Sequence, residues 1–391
     1  MLARYAGKRI LMLQGPNGWF FRRVAKRLVR LGATVTKVNF NPADSLFFSG
    51  PNVITYRDGL EAWPDAFESI VRERNIEAVL LFGDCRPYHR AAMDRAEVLG
   101  VEVAVFEEGY LRPNYVTLEV GGVNGKSKLP RDPEFYRAIS LEPTLPKAHP
   151  VGNVMPEATF VTILNSLACT LFGFRYPKYR HHRDVNTWKQ CALWARGLYR
   201  KQLYKWRDRE ISRRILEQRM EPYFLVALQV HLDSQMNYCK FGDIEEFITE
   251  VVESFARHAP KDNRLLVKHH PFDRPYRDYT VLVDELRRRF DLGDRLVYVD
   301  VIPLPPALKL ARGTIVINST VGLSSVQFGT PTKCLGDAVY DISGLTHQGS
   351  LADFWQNPGT VDRELYARFR HYLRTTNQLN GSVWTDLFDG S

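Results

Sequence analysis

Short apolar runs alternate with amphipathic stretches over the first third of the chain. Arg9–Gln14 (RILMLQ) is compact and apolar, and it halts at Gly15-Pro16-Asn17-Gly18. Helical spacing follows, with Val24, Leu28 and Leu31 on one face, which predicts a helix. Further strands are expected at Ala33–Phe40, Ala78–Phe82 and Val101–Phe106, with helices at about 60–74 and 87–99. Continuous apolar runs suit strands covered on both faces, so this alternation predicts a parallel sheet of Rossmann type.

The pattern breaks between about 130 and 220. It resumes with strands expected at Phe224–Val230, Arg264–Lys268, Leu296–Asp300, Thr314–Ile317 and Thr332–Leu335. Helices are expected at 243–257, 276–289, 305–311 and 321–328. Two Rossmann-like halves separated by a different segment predict an α/β, GT-B-like architecture with the active site in a central cleft, because strand C-terminal ends carry their loops into such a crevice. The expected division is 1–130 for the first half, 131–220 for a basic, aromatic-rich helical insertion, 221–360 for the second half and 361–391 for a C-terminal helix and tail.

Charge sharpens the picture of the insertion. The net charge is +9, yet Arg175–Met220 alone holds fourteen Lys/Arg against four Asp/Glu. The surplus therefore sits in one patch rather than over the whole surface. Just before it, Ala158–Phe174 is seventeen residues without a charge, short for a membrane span and interrupted by polar side chains. Basic residues among Trp188, Trp194, Tyr199, Tyr204 and Trp206 suit a helix lying on an anionic lipid surface. Trp188, Trp194, Arg196, Arg200, Lys201 and Lys205 are the candidate membrane residues. The same ingredients serve nucleic-acid stacking or a solvated helical hairpin; the apolar run beside the basic stretch favours lipid, and no nucleic-acid partner is expected.

The five cysteines are scattered, with no C-x-x-C pair and no Cys/His cluster at zinc spacing. A disulfide framework and a metal site are both unexpected, and a reducing compartment fits. The opening residues MLARYAGKRILMLQGP read as a first strand rather than a signal peptide, which gives the expectation of a cytoplasmic protein.

Five loops carry candidate chemistry. Gly15, Asn17 and Gly18 let backbone approach an anion or sugar at a helix start, although a plain βα turn has the same composition. Glu107 and Glu108 follow a strand and offer acid/base carboxylates, with an Arg112–glutamate ion pair as the unremarkable alternative. Gln229-Val230-His231-Leu232-Asp233-Ser234-Gln235 places Asp233 between two amides, as a positioned nucleophile or sugar clamp requires; a turn-capping aspartate is the competing account. Lys268-His269-His270-Pro271 ends a strand with three nitrogen-bearing groups suited to a phosphate. Asn318-Ser319-Thr320 opens a helix, where hydroxyls and free amides make an anion site or an ordinary cap.

Taken together, QGPNGWFF, EEGYLRPNYVTLE, Q-x-x-x-D-x-Q, the HHP motif, YPKYRHHR and INSTVGLSSVQFGTP resemble capsule polysaccharide synthesis proteins, in the KpsS-like group of retaining β-Kdo transferases, over about residues 8–357. The resemblance implies CMP-Kdo as donor, a (lyso)phosphatidylglycerol acceptor at the inner face of the bacterial inner membrane, and other capsule-synthesis proteins as company. It makes the first half the acceptor side and the second the nucleotide-sugar side. Asp233 takes the nucleophile's position, His270 the phosphate-binding histidine's, and Ser319 and Thr320 the CMP loop's. Gln229, Gln235, Lys268, His269, Pro271 and Asn318 join them on the donor side, and Glu108 is the second carboxylate. Neither a cofactor nor an obligatory metal is expected. The alternatives are another GT-B transferase with a different nucleotide-linked donor, or a non-catalytic RNA-binding or capsule-assembly adaptor.

Overall fold

A computed structural model describes residues 1–180 and 187–388, with backbone alone for 187–190. The chain divides into two compact units. Unit 1 holds Met1–Lys128, Thr144–Lys189 and Leu373–Ser391; unit 2 holds Leu129–Pro143 and Gln190–Tyr372.

Unit 1 opens with β1 (Arg9–Met12), α1 (Phe20–Arg30), β2 (Thr34–Asn39), α2 (Pro42–Phe47), β3 (Val53–Thr55), α3 (Trp63–Glu73), β4 (Ala78–Phe82), α4 (Pro87–Leu99), β5 (Glu102–Glu108) and β6 (Tyr115–Val120). The strands lie in the order β6-β5-β4-β1-β2-β3. All neighbours are parallel except β5 and β6, which run antiparallel. Side-chain alternation along these strands explains the packing. Ile10, Met12, Leu80 and Phe106 join Phe20, Val24 and Leu28 of α1 in one core, while Leu11, Leu13, Leu81 and Val105 join Trp63, Phe67 and Ala92 of α3 and α4 in another. Each large side chain buried this way contributes about 1.5–3 kcal/mol. Leu31, expected on the inner face of the first helix, is instead 37% exposed just beyond its end, and Phe20 and Phe21 supply that contact.

The segment that breaks the pattern forms α5 (Pro133–Arg137), α6 (Met155–Phe172), α7 (Thr187–Arg207) and α8 (Arg209–Leu216). It is not a separate body, contrary to the expected 131–220 boundary. α6 belongs to unit 1, where Val161 and Ala168 pack on Ala43 and Phe47 of α2; α5, α8 and most of α7 belong to unit 2. An apolar stripe on each helix finds its cover on a different sheet unit, which is why composition alone misplaced the boundary.

Unit 2 continues with β7 (Tyr223–Ala227), α9 (Ile244–His258), β8 (Arg264–Lys268), α10 (Thr280–Arg289), β9 (Leu296–Val299), α11 (Leu304–Leu310), β10 (Gly313–Val316), α12 (Thr320–Phe328), β11 (Thr332–Cys334), α13 (Leu351–Gln356) and α14 (Arg363–Thr376). Its sheet is parallel in the order β11-β10-β7-β8-β9. Phe224, Val226, Leu265 and Val267 meet α9 and α10 on one face, whereas Leu225 and Leu266 meet α8 and α11 on the other. Finally β12 (Gln378–Asn380) returns to unit 1 and pairs antiparallel with β6. Both Rossmann-like halves of the expected α/β, GT-B-like chain are present, each with helices covering both faces of a mainly parallel sheet.

Candidate functional site

In unit 2 the candidate residues collect at the C-terminal ends of β7, β8 and β10. Asp233 caps a short helical turn, its Oδ1 accepting from the Gln235 amide at 2.9 Å. Its Oδ2 lies 3.4 Å from Gln229 Nε2. The same Gln229 amide donates to Asn318 Oδ1 at 2.9 Å, and its Oε1 accepts from the Asn318 amide at 3.2 Å. Asn318 Nδ2 closes the ring on the Gln235 carbonyl at 2.9 Å. Gln229, Asp233, Gln235 and Asn318 thus form one network between the ends of β7 and β10. These hydrogen bonds fix the orientation of the Asp233 carboxylate. Asp233 as a turn cap and Asp233 as a positioned carboxylate turn out to be compatible. Ser319 caps α12, its hydroxyl accepting from the Val321 amide at 3.3 Å, with Thr320 partly exposed beside it.

The histidine motif divides. Lys268 and His269 do not face a ligand surface, a correction to the expected phosphate cluster. Lys268 is 7% exposed and its ammonium donates to the carbonyls of His269 and Asp300 at 3.0 and 3.4 Å. His269 is 1% exposed, with Nδ1 2.8 Å from the Tyr298 hydroxyl. Burial lowers its pKa to about 4, which keeps the ring neutral near pH 7. The cause is the strand itself: the final residues of β8 sink into the ends of the two cores, and the chain emerges only at His270, where Pro271 turns it. His270 is partly exposed and its Nδ1 accepts from the Phe272 amide at 3.2 Å. Sequence reasoning also passed over Asp273, which is wholly buried and holds His231 twice, through the His231 amide at 3.1 Å and through Nδ1. The signal available was HHPFD itself, an acidic residue two positions after the proline that ends the strand.

In unit 1 the first loop and its neighbours enclose a small polar cavity of about 30 Å³, lined by Gly15, Asn17 and Gly18 together with Lys37, Asp44 and Arg86. That is room for a water-sized group. Arg86 donates to the Gly15 carbonyl at 2.9 Å. Lys37 is 2% exposed, and burial lowers its pKa to about 8. Gly18 has φ +97, and a Cβ there would lie 2.9 Å from Val161 of α6, so this loop needs glycine both for its backbone and for helix docking. Tyr179 of YPKYRHHR hydrogen-bonds Gln14 at 3.0 Å, and Tyr176 reaches Ser45 at 2.7 Å.

The two adjacent carboxylates differ. Glu108 pairs with Arg112 at 2.7 Å and both are well exposed, which is the unremarkable account of that residue. Glu107 accepts from the Glu108 amide at 2.9 Å, and desolvation, with the Glu108 charge adding to it, raises its pKa to about 7. Gly109 follows because a Cβ would come within 2.1 Å of the Tyr115 carbonyl oxygen as β5 turns toward β6.

On α7, Arg196 donates to the Pro275 carbonyl at 2.6 Å and Arg200 to the Arg274 carbonyl at 2.9 Å. Both are tied to a loop of unit 2, so of the four cations expected to meet lipid only Lys201 and Lys205 are exposed without such ties among the described residues. Trp194 is half-buried, and the side chain of Trp188 lies outside the described residues, as do 181–186 of the basic motif. Met155–Arg175 is long and apolar enough to cross a membrane by length and composition, and 17% of its apolar 18-residue window is buried. No group of three or more His, Cys, Asp or Glu suited to a metal occurs among the described residues.

Comparison with known proteins follows the same lines. Residues 77–384 match the family described as capsule polysaccharide biosynthesis protein. The chain is 40% identical to the Escherichia coli capsule polysaccharide export protein KpsS over 96% of each chain. It is 36% identical to the Neisseria meningitidis capsule polysaccharide modification protein LipB over 98% of this chain and 93% of that one. Among solved structures, the β-Kdo 2,7 transferase of Thermosulfurimonas dismutans KpsC covers 92% of this chain and 89% of its own at 16% identity and TM-score 0.44, a likeness too loose to carry a functional argument. Over most of its length, this chain belongs to the capsule polysaccharide biosynthesis protein family.

Proposed function

We propose that the protein is a retaining β-Kdo glycosyltransferase that moves Kdo from CMP-Kdo to a (lyso)phosphatidylglycerol and so starts the lipid linker of a capsule polysaccharide. The observation that carries this reading is Asp233, fixed by the Gln235 amide and flanked by Gln229 at a strand end. A nucleophilic carboxylate needs a fixed approach, and hydrogen bonds of this kind favour one.

In the first step Asp233 attacks the anomeric carbon, forming the C–O bond of a glycosyl ester as the bond to CMP breaks and its electron pair leaves with the phosphate. With Nδ1 accepting from the Phe272 amide, Nε2 is the His270 nitrogen left to donate toward that phosphate. The Ser319 and Thr320 amides and hydroxyls at the start of α12 provide further neutral donors. In the second step an acceptor hydroxyl attacks the same carbon, Asp233 leaves as the free carboxylate, and a carboxylate takes the hydroxyl proton. Two inversions give retention. Glu107 suits the base better than the expected Glu108, because its desolvated carboxyl exchanges protons near neutral pH whereas Glu108 is occupied by Arg112.

The experiment is intact-protein mass spectrometry after incubation with CMP-Kdo and no acceptor. The expected result is a subpopulation heavier by one Kdo, with the added mass on the peptide containing Asp233. Donor consumed with the mass on another residue, or no adduct while lipid product still forms, contradicts the assignment.

A further inference from the structure

A second cavity of unit 1 has a character unlike the polar one. A groove of about 510 Å³ lies along α2 and α6, within the range of about 300–1,000 Å³ that holds small ligands. Leu164, Leu167 and Leu171 line it from α6, Leu46 lines it from α2, and Arg57 and Arg175 also line it. Its apolar wall continues onto the outside of α6, where Phe160, Ile163, Leu167 and Leu171 are 42–61% exposed.

The two arginines set this groove apart from an ordinary apolar cleft. Both are exposed, and neither has an ion-pair partner among the described residues. The neighbouring acids are already engaged: Asp58 pairs with Lys178 at 3.3 Å and Glu61 lies 3.5 Å from Arg180. Arg175 instead lies over the Phe172 and Phe174 rings, 5.4 and 5.8 Å from their centroids. An apolar slot with two guanidinium groups that have no carboxylate partner among the described residues matches a molecule that is a hydrocarbon chain at one end and a phosphate at the other. The exposed apolar face of α6 lets such a chain pass from a bilayer into the slot without crossing water.

We infer that this groove seats one acyl chain of an anionic glycerophospholipid, with Arg57 and Arg175 on its phosphate. As the seat of the acceptor the groove rests on the transferase reading; as a lipid site it stands on the groove itself.

The test uses the full chain and a lysophosphatidylglycerol carrying a diazirine at the end of its acyl chain. Photolysis followed by peptide mapping is expected to label residues 42–46 or 164–172. Leu171→Trp, at an exposed position, fills the slot and is expected to remove the label. The Arg57→Ala/Arg175→Ala pair is expected to raise the half-saturating lipid concentration about tenfold, the loss of about 1.4 kcal/mol of phosphate binding, with circular dichroism confirming that both variants fold. Label elsewhere, or label undiminished in both variants, overturns the inference. So does a groove that is covered by a second copy, seen as a mass by light scattering that falls to the monomer in Leu171→Trp without any lipid label. Groove labelling without Kdo transfer keeps the lipid site and removes the transferase reading. Kdo transfer with an unchanged lipid KM in both variants does the reverse.

Discussion

Asp233 and Glu107 sit in different surroundings, and the different roles proposed for them follow from that. Asp233 is oriented by hydrogen bonds from Gln235 and Gln229; Glu107 is desolvated beside another acid and titrates near neutrality. Asp233→Ala is expected to lower transfer by at least about 10³-fold while leaving the circular dichroism spectrum unchanged; transfer near the wild-type rate removes it from the nucleophile's role. The pH dependence separates the glutamates. A base must be ionised, so the rate is expected to rise as pH passes about 7, the value to which burial raises Glu107. Glu107→Gln flattens that limb and Glu108→Gln retains it; the opposite pattern assigns the base to Glu108. The sequence made the position of Asp233 legible because Q-x-x-x-D-x-Q closes a strong apolar strand. It could not separate Lys268, His269 and His270, since three adjacent polar residues read alike until the depth of the strand end is known.

Elements were legible in proportion to their apolar pattern. β4, β8 and α4 fall where the pattern predicts, at Ala78–Phe82, Arg264–Lys268 and Pro87–Leu99. β3 and β12, three-residue strands at Val53–Thr55 and Gln378–Asn380 on the edges of their sheet, were not among the expected strands. β6 was hidden by its antiparallel course after the EEG turn. α6 depends on Gly18, whose positive φ and contact with Val161 join the first loop to the helix. Gly18→Val is expected to cost about 1–3 kcal/mol from backbone strain alone, read as a lower melting temperature; an unchanged one shows that the loop relaxes freely. On α7 the two arginines bound to loop carbonyls leave Lys201 and Lys205 as the exposed cations on which the expected lipid contact would rest. Replacing both by glutamine is expected to weaken binding to anionic liposomes by about 1 kcal/mol per residue, and unchanged binding moves the membrane contact elsewhere.

At the scale of the whole molecule, each unit is built on a mainly parallel sheet: unit 1 carries a polar cavity beside its first loop and an apolar groove along α2 and α6, and unit 2 an aspartate network at its strand ends. The α/β class and the two halves were readable from alternating buried strands. The allotment of the insertion was not, because which sheet covers an apolar helix is a tertiary fact. Membership of the capsule polysaccharide biosynthesis family places the chain in capsule synthesis. The most direct test is to incubate the protein with CMP-Kdo and a fluorescent lysophosphatidylglycerol and to weigh the lipid by mass spectrometry. The account predicts a lipid heavier by one Kdo, in the β configuration, formed by the wild type and absent with Asp233→Ala. Folded protein that neither binds nor consumes CMP-Kdo would contradict it.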